Sequence, residues 1–593
     1  MLRRLIVLTL GILYTGGSDA QPFRYDRNYF RNPLHIPLSL SANFGELRPD
    51  HWHMGLDLRT DQKENLPVHA AADGYISHAG VRPKSFGRFL VIRHPNGLST
   101  LYAHLNDFFP ELEAFVTAEQ YRRESWALEL DLTPDQFPVT GGAFIAWSGN
   151  TGGSQGPHLH FEVLDTRTEK RLNPLLFDFG LSDKEPPQLL RLALYDRSRS
   201  IYEQQPVLYP LRQTDSGWII PKLPLIRTGH SRIGLAIQAI DRMGGSKNPN
   251  GIYAARVLLD GLMVSSFSLD SLGYDETAYI NAHIDYRNRY QGGAYLQLIT
   301  PLPGDRSPGI RILRDGGVLR LSDTLPHPVT IEVSDAAGNN SVLRFALQRT
   351  DSLVHGVGQV ANRDRFLPAQ VNVSEHPGFE VYLPEGALYD TVAPRFLSEP
   401  DPRPTAFSPV FRFGDPSIPL HEDLVVRIRL ERPVPEAWQD KLLIRRWDAK
   451  GSSFRKAQWQ EQWVSARFGE FGSFQVLADV EPPRIEPLGS GKKDTLDLSP
   501  ATRIVLSPTD DFGIRSFRAE LDSQWIRFTN DKGRQWVYVF DERCPYGIHH
   551  LKVTVDDWAG NQTIRQWWFR RAPYTPPPPR KKSGKKGKKG KSK

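Results

Sequence analysis

The sequence predicts a mainly β chain built from several domains: a β-rich N-terminal domain, a series of β-sandwich modules and a disordered basic tail. Three observations carry this. From residue 185 to 571, runs of four to eight residues rich in Val, Ile, Leu, Phe and Trp recur at short spacing, as at 329–333 and 551–555. Pro-rich phrases, Glu185-Pro186-Pro187, Ala393-Pro394 and Glu481-Pro482-Pro483, each precede such a run, as linkers feeding a first strand would. Near the N-terminus, Leu159, Phe161 and Val163 alternate with His158, His160 and Glu162, the period of a strand with one buried face. At 593 residues the chain is about four times a ~150-residue domain, which calls for three to five domains.

Taken in order, Arg3 and Arg4 precede an apolar run over 5–14, then Gly16, Gly17 and Ser18-Asp19-Ala20. This is the layout of a secretory signal peptide, 1–20, cleaved near Ala20. Its run is short for a membrane span, so the alternative of an uncleaved anchor helix is the weaker one. No cysteine follows to take a lipid, and no later stretch approaches 18 apolar residues, so the expectation is an exported protein of the periplasm or cell surface with no transmembrane anchor. The first domain is expected over 21–182, with a helical insertion at 106–138. β-Sandwich modules follow at 183–350 and 393–480, separated by a linker or β segment at 351–392. A last module spans 481–571, and the Pro/Lys-rich tail 572–593 has no means of building a core.

A second phrase recurs at module ends. Asp335-Ala336-Ala337-Gly338-Asn339 and Asp557-Trp558-Ala559-Gly560-Asn561 share an Asp-x-x-Gly-Asn turn, and Asp241-Arg242-Met243-Gly244-Gly245 is a looser copy. The Asp caps its own backbone and Gly-Asn tolerates positive φ, as a hairpin needs. These blocks resemble bacterial Ig-like modules.

Charge and cysteine content exclude several classes. The formal charge of +7 belongs to the tail, because residues 580–593 alone hold nine Lys or Arg and no acid. A nucleic-acid footprint on a folded surface is not indicated. With Cys544 the only cysteine, an intrachain disulfide framework and a thiolate zinc cluster are both excluded, so a metal would sit on His and carboxylates.

Eight of the 17 histidines lie between residues 51 and 160. Three phrases hold the candidates: His53-Met54-Gly55-Leu56-Asp57, Thr100-Leu101-Tyr102-Ala103-His104-Leu105, and Gly156-Pro157-His158-Leu159-His160-Phe161-Glu162-Val163. On a strand, His158 and His160 share a face about 6 to 7 Å apart, so one can bind a metal while the other handles water or a substrate oxygen. His53 and Asp57, four apart, also share a face, and Gly55 favours an extended reading. A His, Asp, His set suits Zn²⁺ with a fourth position left open. Gly152-Gly153-Ser154-Gln155-Gly156 satisfies the Gly-x-Ser-x-Gly pattern, but it leads into Pro157 and a strand rather than a helix, so a serine nucleophile is disfavoured. His51, His69, His78 and His94 read as ordinary surface or core histidines, with His51 near enough to His53 to line a groove. Glu162 either orients a histidine or is a structural carboxylate. Asn43 reads as a turn residue or a groove-edge residue.

In their order, these phrases, with Gly149-Asn150-Thr151-Gly152-x-Ser154-x-Gly156-Pro157 before the last and Pro67-Val68-His69-Ala70 and Gly74-Tyr75-Ile76 as filler, resemble the lysostaphin/LytM-type zinc metallopeptidases that cut peptide crosslinks in bacterial cell walls. The resemblance covers roughly residues 40–175. It implies an antiparallel-β zinc peptidase domain, one zinc per chain held by His53, Asp57 and His160, and His104 and His158 assisting the zinc-bound water and the scissile carbonyl. The substrate implied is the peptide part of peptidoglycan; the rival is a catalytically silent envelope scaffold that regulates other wall hydrolases. The candidate partner of the β-modules and Lys-rich tail is an envelope protein or anionic polymer; for the tail, simple solvation is the leading alternative. The insertion departs from the family pattern. Helix signals at 117–128 and at Thr133-Pro134 suggest a small helical cap over 106–138 that either narrows the groove or merely packs on a neighbouring β-module.

Overall fold

The computed structural model describes residues 25–243, 248–350, 365–488 and 495–575. The expected signal peptide and the basic tail from 576 onward lie outside the described residues. Among those described, no helix is long and apolar enough to cross a membrane.

The N-terminal domain is built from β1 (Leu40–Ala42), β2 (Leu56–Arg59), β3 (Pro67–His69), β4 (Gly74–Val81), β5 (Arg88–Arg93), β6 (Leu98–Leu105), α1 (Pro110–Arg123), β7 (Leu128–Asp131), β8 (Pro138–Val139), β9 (Phe144–Trp147) and β10 (His158–Asp165). The main sheet runs β1-β2-β10-β6-β5-β4-β7 with antiparallel neighbours, while β3 and β9 form a separate ribbon. Alternation decides which face holds the core. Leu56 and Leu58 on β2, Tyr102 on β6, and Leu159, Phe161 and Val163 on β10 enter one buried cluster with Ile76, Leu90 and Ile92. Each such side chain contributes about 1.5–3 kcal/mol on burial. Their neighbours Asp57, His158, His160 and Glu162 are thereby turned to the opposite face.

The insertion differs from expectation. Helix α1 begins at Pro110, which occupies the first turn where its missing N–H costs nothing; Glu111 and Glu113 follow at the start and Arg122 and Arg123 close the end, matching the helix dipole. Glu124 stops it in the left-handed region (φ 47°), and Leu128–Asp131 then pairs with β4 as an edge strand. The expected helix over 117–128 therefore ends early because Leu128 and Leu130 alternate with Glu129 and Asp131, a strand signal. The Thr133-Pro134 start is a turn closed by Gln136 N–H on the Thr133 carbonyl (3.1 Å). The insertion does not roof the groove either, since its pairing with β4 carries it to the sheet edge opposite β1. There α1 meets the last module: Tyr121 packs edge-on to Trp525 (5.2 Å), the Arg543 guanidinium lies 3.9 Å from the Tyr121 ring, and Arg527 donates to Gln120 (2.7 Å).

Three β units follow. In the first, a five-stranded sheet centred on Gln188–Asp196 and Arg232–Ile240 shares a core with an eight-stranded sheet containing Ala254–Leu259, His327–Ser334 and Asn340–Arg349. Phe44, Trp52 and Met54 of the N-terminal domain enter that same core, and Arg171–Leu172 pairs with Ser271–Leu272, so the two units are joined by packing and by backbone. The next unit pairs two five-stranded sheets. Its strands Asn372–His376 and Phe379–Leu383 fall in the stretch expected to be linker or β segment, and the second pairs with Pro419–Arg429. The sandwich thus includes residues well before Ala393-Pro394, a phrase that lies between strands rather than at a boundary. The last unit is a five-stranded sheet around Gly547–Asp557 and Gln562–Arg571, with a ribbon of Arg503–Leu506 and Trp536–Val539.

Candidate metal centre

Strand register assembles the site. His160 lies directly opposite Asp57 across the β10–β2 ladder, so both side chains rise from one face. His53 reaches the same point from the turn before β2. Gly55 makes that turn possible, because a Cβ there would meet the Phe161 carbonyl at 2.5 Å and the His160 ring at 3.1 Å. The third strand of the constellation, β6, brings His104, whose backbone is left-handed (φ 61°) beside a ladder irregularity between Arg88 and Leu90. A non-glycine residue held in that region is strained by about 1–3 kcal/mol, a cost that recurs at functional sites.

The three nearest donors converge closely. His53 Nε2 lies 2.9 Å from Asp57 Oδ1 and 3.1 Å from His160 Nδ1, and His160 Nδ1 lies 2.9 Å from Asp57 Oδ1. Ligands about 2.0–2.1 Å from a tetrahedral zinc are separated by roughly 3.3–3.4 Å, so this triangle is close to one face of such a site. Two imidazole nitrogens and a carboxylate are also the donor chemistry zinc takes. The residues present fit the metal. His158 Nε2 stands 3.4 Å from Asp57 Oδ1, and the His104 ring is 4.7 Å from that of His158 and 5.8 Å from that of His160.

Every imidazole is anchored through its other nitrogen. His53 Nδ1 bonds the Asn43 carbonyl (2.7 Å), His160 Nε2 the Glu162 carboxylate (3.0 Å), His104 Nδ1 the Thr151 carbonyl (2.9 Å) and His158 Nδ1 the Gly156 carbonyl (2.8 Å). These bonds fix ring orientation and leave one nitrogen of each ring for the site. Glu162, fully buried, is itself held by Arg171 (3.0 Å) and by the Tyr274 hydroxyl (2.9 Å), with the Arg171 guanidinium over the Tyr274 ring at 4.2 Å.

Electrostatics follow from this crowding. Burial opposes the charged form of His160, but hydrogen bonds to Asp57 and Glu162 outweigh it and raise the group to about 9. Burial and the neighbouring His160 and His158 push His104 down to about 3. Burial also lowers His53. Burial opposes ionisation of Asp57, yet three histidines around it hold the carboxylate well below its usual range. Glu46 at the rim is raised to about 7, chiefly by burial.

The remaining sequence candidates fall as follows. His51 is exposed on the groove rim and bonds Asp50 (2.6 Å). His94 is buried on the Asp73 carbonyl and Thr100, His69 stacks on His35, and His78 bridges Glu129 and Asp131. Ser154 Oγ donates to the Gly156 carbonyl within a loop, not on a strand-to-helix elbow. Asn43 contributes through its backbone carbonyl and, by its side chain, ties the turn to Gly251 (2.8 Å). Sequence reasoning missed Tyr274, which comes from the neighbouring β unit; no local signal marks it. The groove, about 1570 Å³, is walled by Arg48, Phe86, Tyr274 and the loop 153–157, and from the insertion only Asp131 and Leu132 reach it.

Residues 51–121 match the family description Peptidase family M23, and residues 364–479 match a Zu5-like domain. A DD-carboxypeptidase/endopeptidase Mpg of Neisseria meningitidis is 37% identical over 153 residues, 25% of this chain and 26% of that protein. An uncharacterized metalloprotease of Haemophilus influenzae is 31% identical over 145 residues, 23% of this chain and 25% of that one. The matched segments thus span about a quarter of the length of these relatives. Among solved structures, a zinc-containing peptidase from Vibrio cholerae is 25% identical over 26% of this chain and 41% of that one, with a TM-score of 0.19.

Proposed function

We propose that this chain, whose N-terminal domain belongs to the lysostaphin/LytM type of peptidase family M23, is an exported zinc metalloendopeptidase that hydrolyses peptide crosslinks of bacterial peptidoglycan. One observation carries the reading: His53, Asp57 and His160 present three donor atoms within 3.1 Å of one another on the floor of an open groove. These residues would hold one zinc ion. Bound there, zinc supplies Lewis acidity toward a carbonyl and toward water, bringing water's ionisation near neutral pH.

The chain's own groups account for the rest. His104, kept neutral by burial, and His158 both turn one ring nitrogen into the groove beside Asp57, where they donate to an oxyanion or accept a proton from water. Glu162 and the Asn43 carbonyl hold the two ligand rings in fixed tautomers, so little reorganisation accompanies reaction. The groove is open along the sheet and suits an extended, flexible peptide such as a wall crosslink. The β units and basic tail would position the enzyme on the envelope through a protein or anionic polymer.

The test is digestion of purified crosslinked muropeptides with mass analysis of the products. Cleavage of a peptide bond within the crosslink, lost on chelation and restored by zinc, is expected. A zinc-loaded chain that leaves every crosslink intact would instead make it a silent scaffold.

A further inference from the structure

Two clusters of carboxylates outside the groove repeat one design. In the first, oxygens of Asp183, Asp241 and Asp335 lie within 4.8 Å of one another; in the second, oxygens of Asp479, Asp510 and Asp557 do the same. Their places in the chain correspond. Asp183 and Asp479 both begin an Asp-x-Glu-Pro-Pro phrase leading into a β unit, and Asp335 and Asp557 both begin the Asp-x-x-Gly-Asn turn near that unit's end. The surrounding bonds correspond too. Asn339 donates to Asp335 (2.7 Å) and to the Asp183 carbonyl (3.4 Å), and Asn561 donates to Asp557 (2.7 Å) and to the Asp479 carbonyl (3.0 Å).

Carboxylates gathered in this way repel unless something positive joins them. Among the described residues no Lys, Arg or His forms an ion pair with any of the six, and the charges acting on Asp241 and Asp479 are those of other acids. Independent of that clustering, buried polar atoms there lack partners. Asp241 is 1% exposed and its Oδ1 has none; Asp479 is 3% exposed and its Oδ2 has none. Asn250, 3% exposed, has neither amide atom satisfied, and it exchanges backbone hydrogen bonds with Asp241 (3.0 and 2.8 Å), which sets its side chain on the same face. A buried polar atom without a partner is costly, and at both clusters a bound cation would supply the missing partner.

We infer that each cluster binds one divalent cation of the calcium class, tying the chain that enters a β unit to that unit's own terminal turn. Only oxygen donors are offered, which disfavours zinc and selects hard cations. Oxygens within 4.8 Å of one another can share one Ca²⁺ at about 2.3–2.6 Å, whose flexible coordination accepts an irregular set of protein oxygens, whereas Mg²⁺ demands a near-ideal octahedron. Three carboxylates supply part of the coordination, Asn250 Oδ1 is placed to add to the first site, and water completes it. The two sites lie where the N-terminal domain joins the first unit and where the second joins the third. The third unit then bears on the catalytic domain: Lys532 donates to the carbonyls of Asn150 and Ser154 (2.6 and 2.8 Å), in the loop that leads to His158. A cation at Asp479 therefore fixes the unit whose Lys532 steadies that loop.

The experiment uses the full chain, stripped with a chelator, reloaded with one equivalent of zinc, and dialysed against ⁴⁵Ca²⁺ up to about 10 mM, above the 10⁻⁴–10⁻³ M expected of exported modules. Two calcium ions per chain are expected. Asp241→Asn should remove one and Asp479→Asn the other, while Asp57→Asn leaves both. Because these Asp→Asn changes keep shape and relieve repulsion, each should also raise the melting temperature without calcium while shrinking the rise that calcium gives to the unaltered chain. No calcium bound at 10 mM, or a stoichiometry unaffected by either variant, overturns the inference. A melting temperature raised by Asp241→Asn with no response to calcium in the unaltered chain also overturns it, and assigns the clusters to shared protons.

Discussion

His53 Nε2 and His160 Nδ1 face each other at 3.1 Å, and Asp57 Oδ1 lies 2.9 Å from both. Each ring already spends its other nitrogen on Asn43 or Glu162, so the facing nitrogens cannot both carry protons without confronting one another. Without a metal, Asp57 Oδ1 is the carboxylate oxygen within hydrogen-bond reach of both nitrogens. With one, both lone pairs and the carboxylate have a common partner.

Glu162 should set how tightly that partner is held. Glu162→Gln keeps the volume but removes the charge that fixes His160, and leaves Arg171 buried beside a neutral amide. Zinc affinity is expected to fall 10- to 100-fold with the circular dichroism spectrum unchanged, as read by competition with a chromophoric chelator. Unaltered affinity would show that Glu162 only packs.

His104 and His158 are expected to separate from the ligands. Neither nitrogen that faces the groove belongs to the close triangle, so His104→Ala and His158→Ala should retain zinc yet lose about 10² to 10⁴ in turnover, the usual worth of a positioned acid–base group. Metal analysis and rates on the same preparations decide it; loss of metal in the His104 variant would place that residue among the ligands.

The fold's pH response has a separate origin. His283 is buried against Trp52 (5.6 Å) and Phe267 (4.5 Å) where the N-terminal domain meets the first β unit, and burial, partly offset by Gln297, lowers it to about 4. In the unfolded chain it would titrate near 6.5, so between those values the unfolded state binds more protons. The stability of about 3 kcal/mol that the neutral ring carries at pH 7 is therefore lost as pH falls from 6.5 toward 4. Urea unfolding at pH 7 and pH 5 should show the decline, and His283→Gln should flatten it.

Helix α1 carries part of the docking of the last unit. Tyr121→Ala combined with Arg527→Ala removes the ring pair with Trp525, the Arg543 stacking and the bond to Gln120. An aromatic pair is worth about 0.5–1.5 kcal/mol beyond its area, so the variant should show a larger radius in solution scattering with zinc content unchanged. An identical radius would mean that other contacts, such as Arg518 with Glu124 and Lys532 with Ser154, suffice.

Legibility tracked the range of the interactions. The constellation was readable because period-two alternation on β10 and the short span from His53 to Asp57 fix faces locally, leaving only one long-range pairing, Asp57 with His160, to be supplied by the fold. The insertion was misread in part because Leu128 alone fits either the last turn of a helix or the first residue of a strand, and its pairing with β4 decides. Ala393-Pro394 misled for a similar reason: proline ends strands as readily inside a sandwich as between two. Tyr274 was invisible, since nothing near residue 274 indicates that a distant glutamate will need its hydroxyl.

The most direct measurement is zinc per chain and crosslink turnover determined together for the unaltered protein, Asp57→Asn and His160→Ala. The account predicts one zinc ion and cleavage in the first, and loss of both in the two variants, since two remaining ligands hold zinc far more weakly than three. Full zinc content with full turnover in His160→Ala would contradict it.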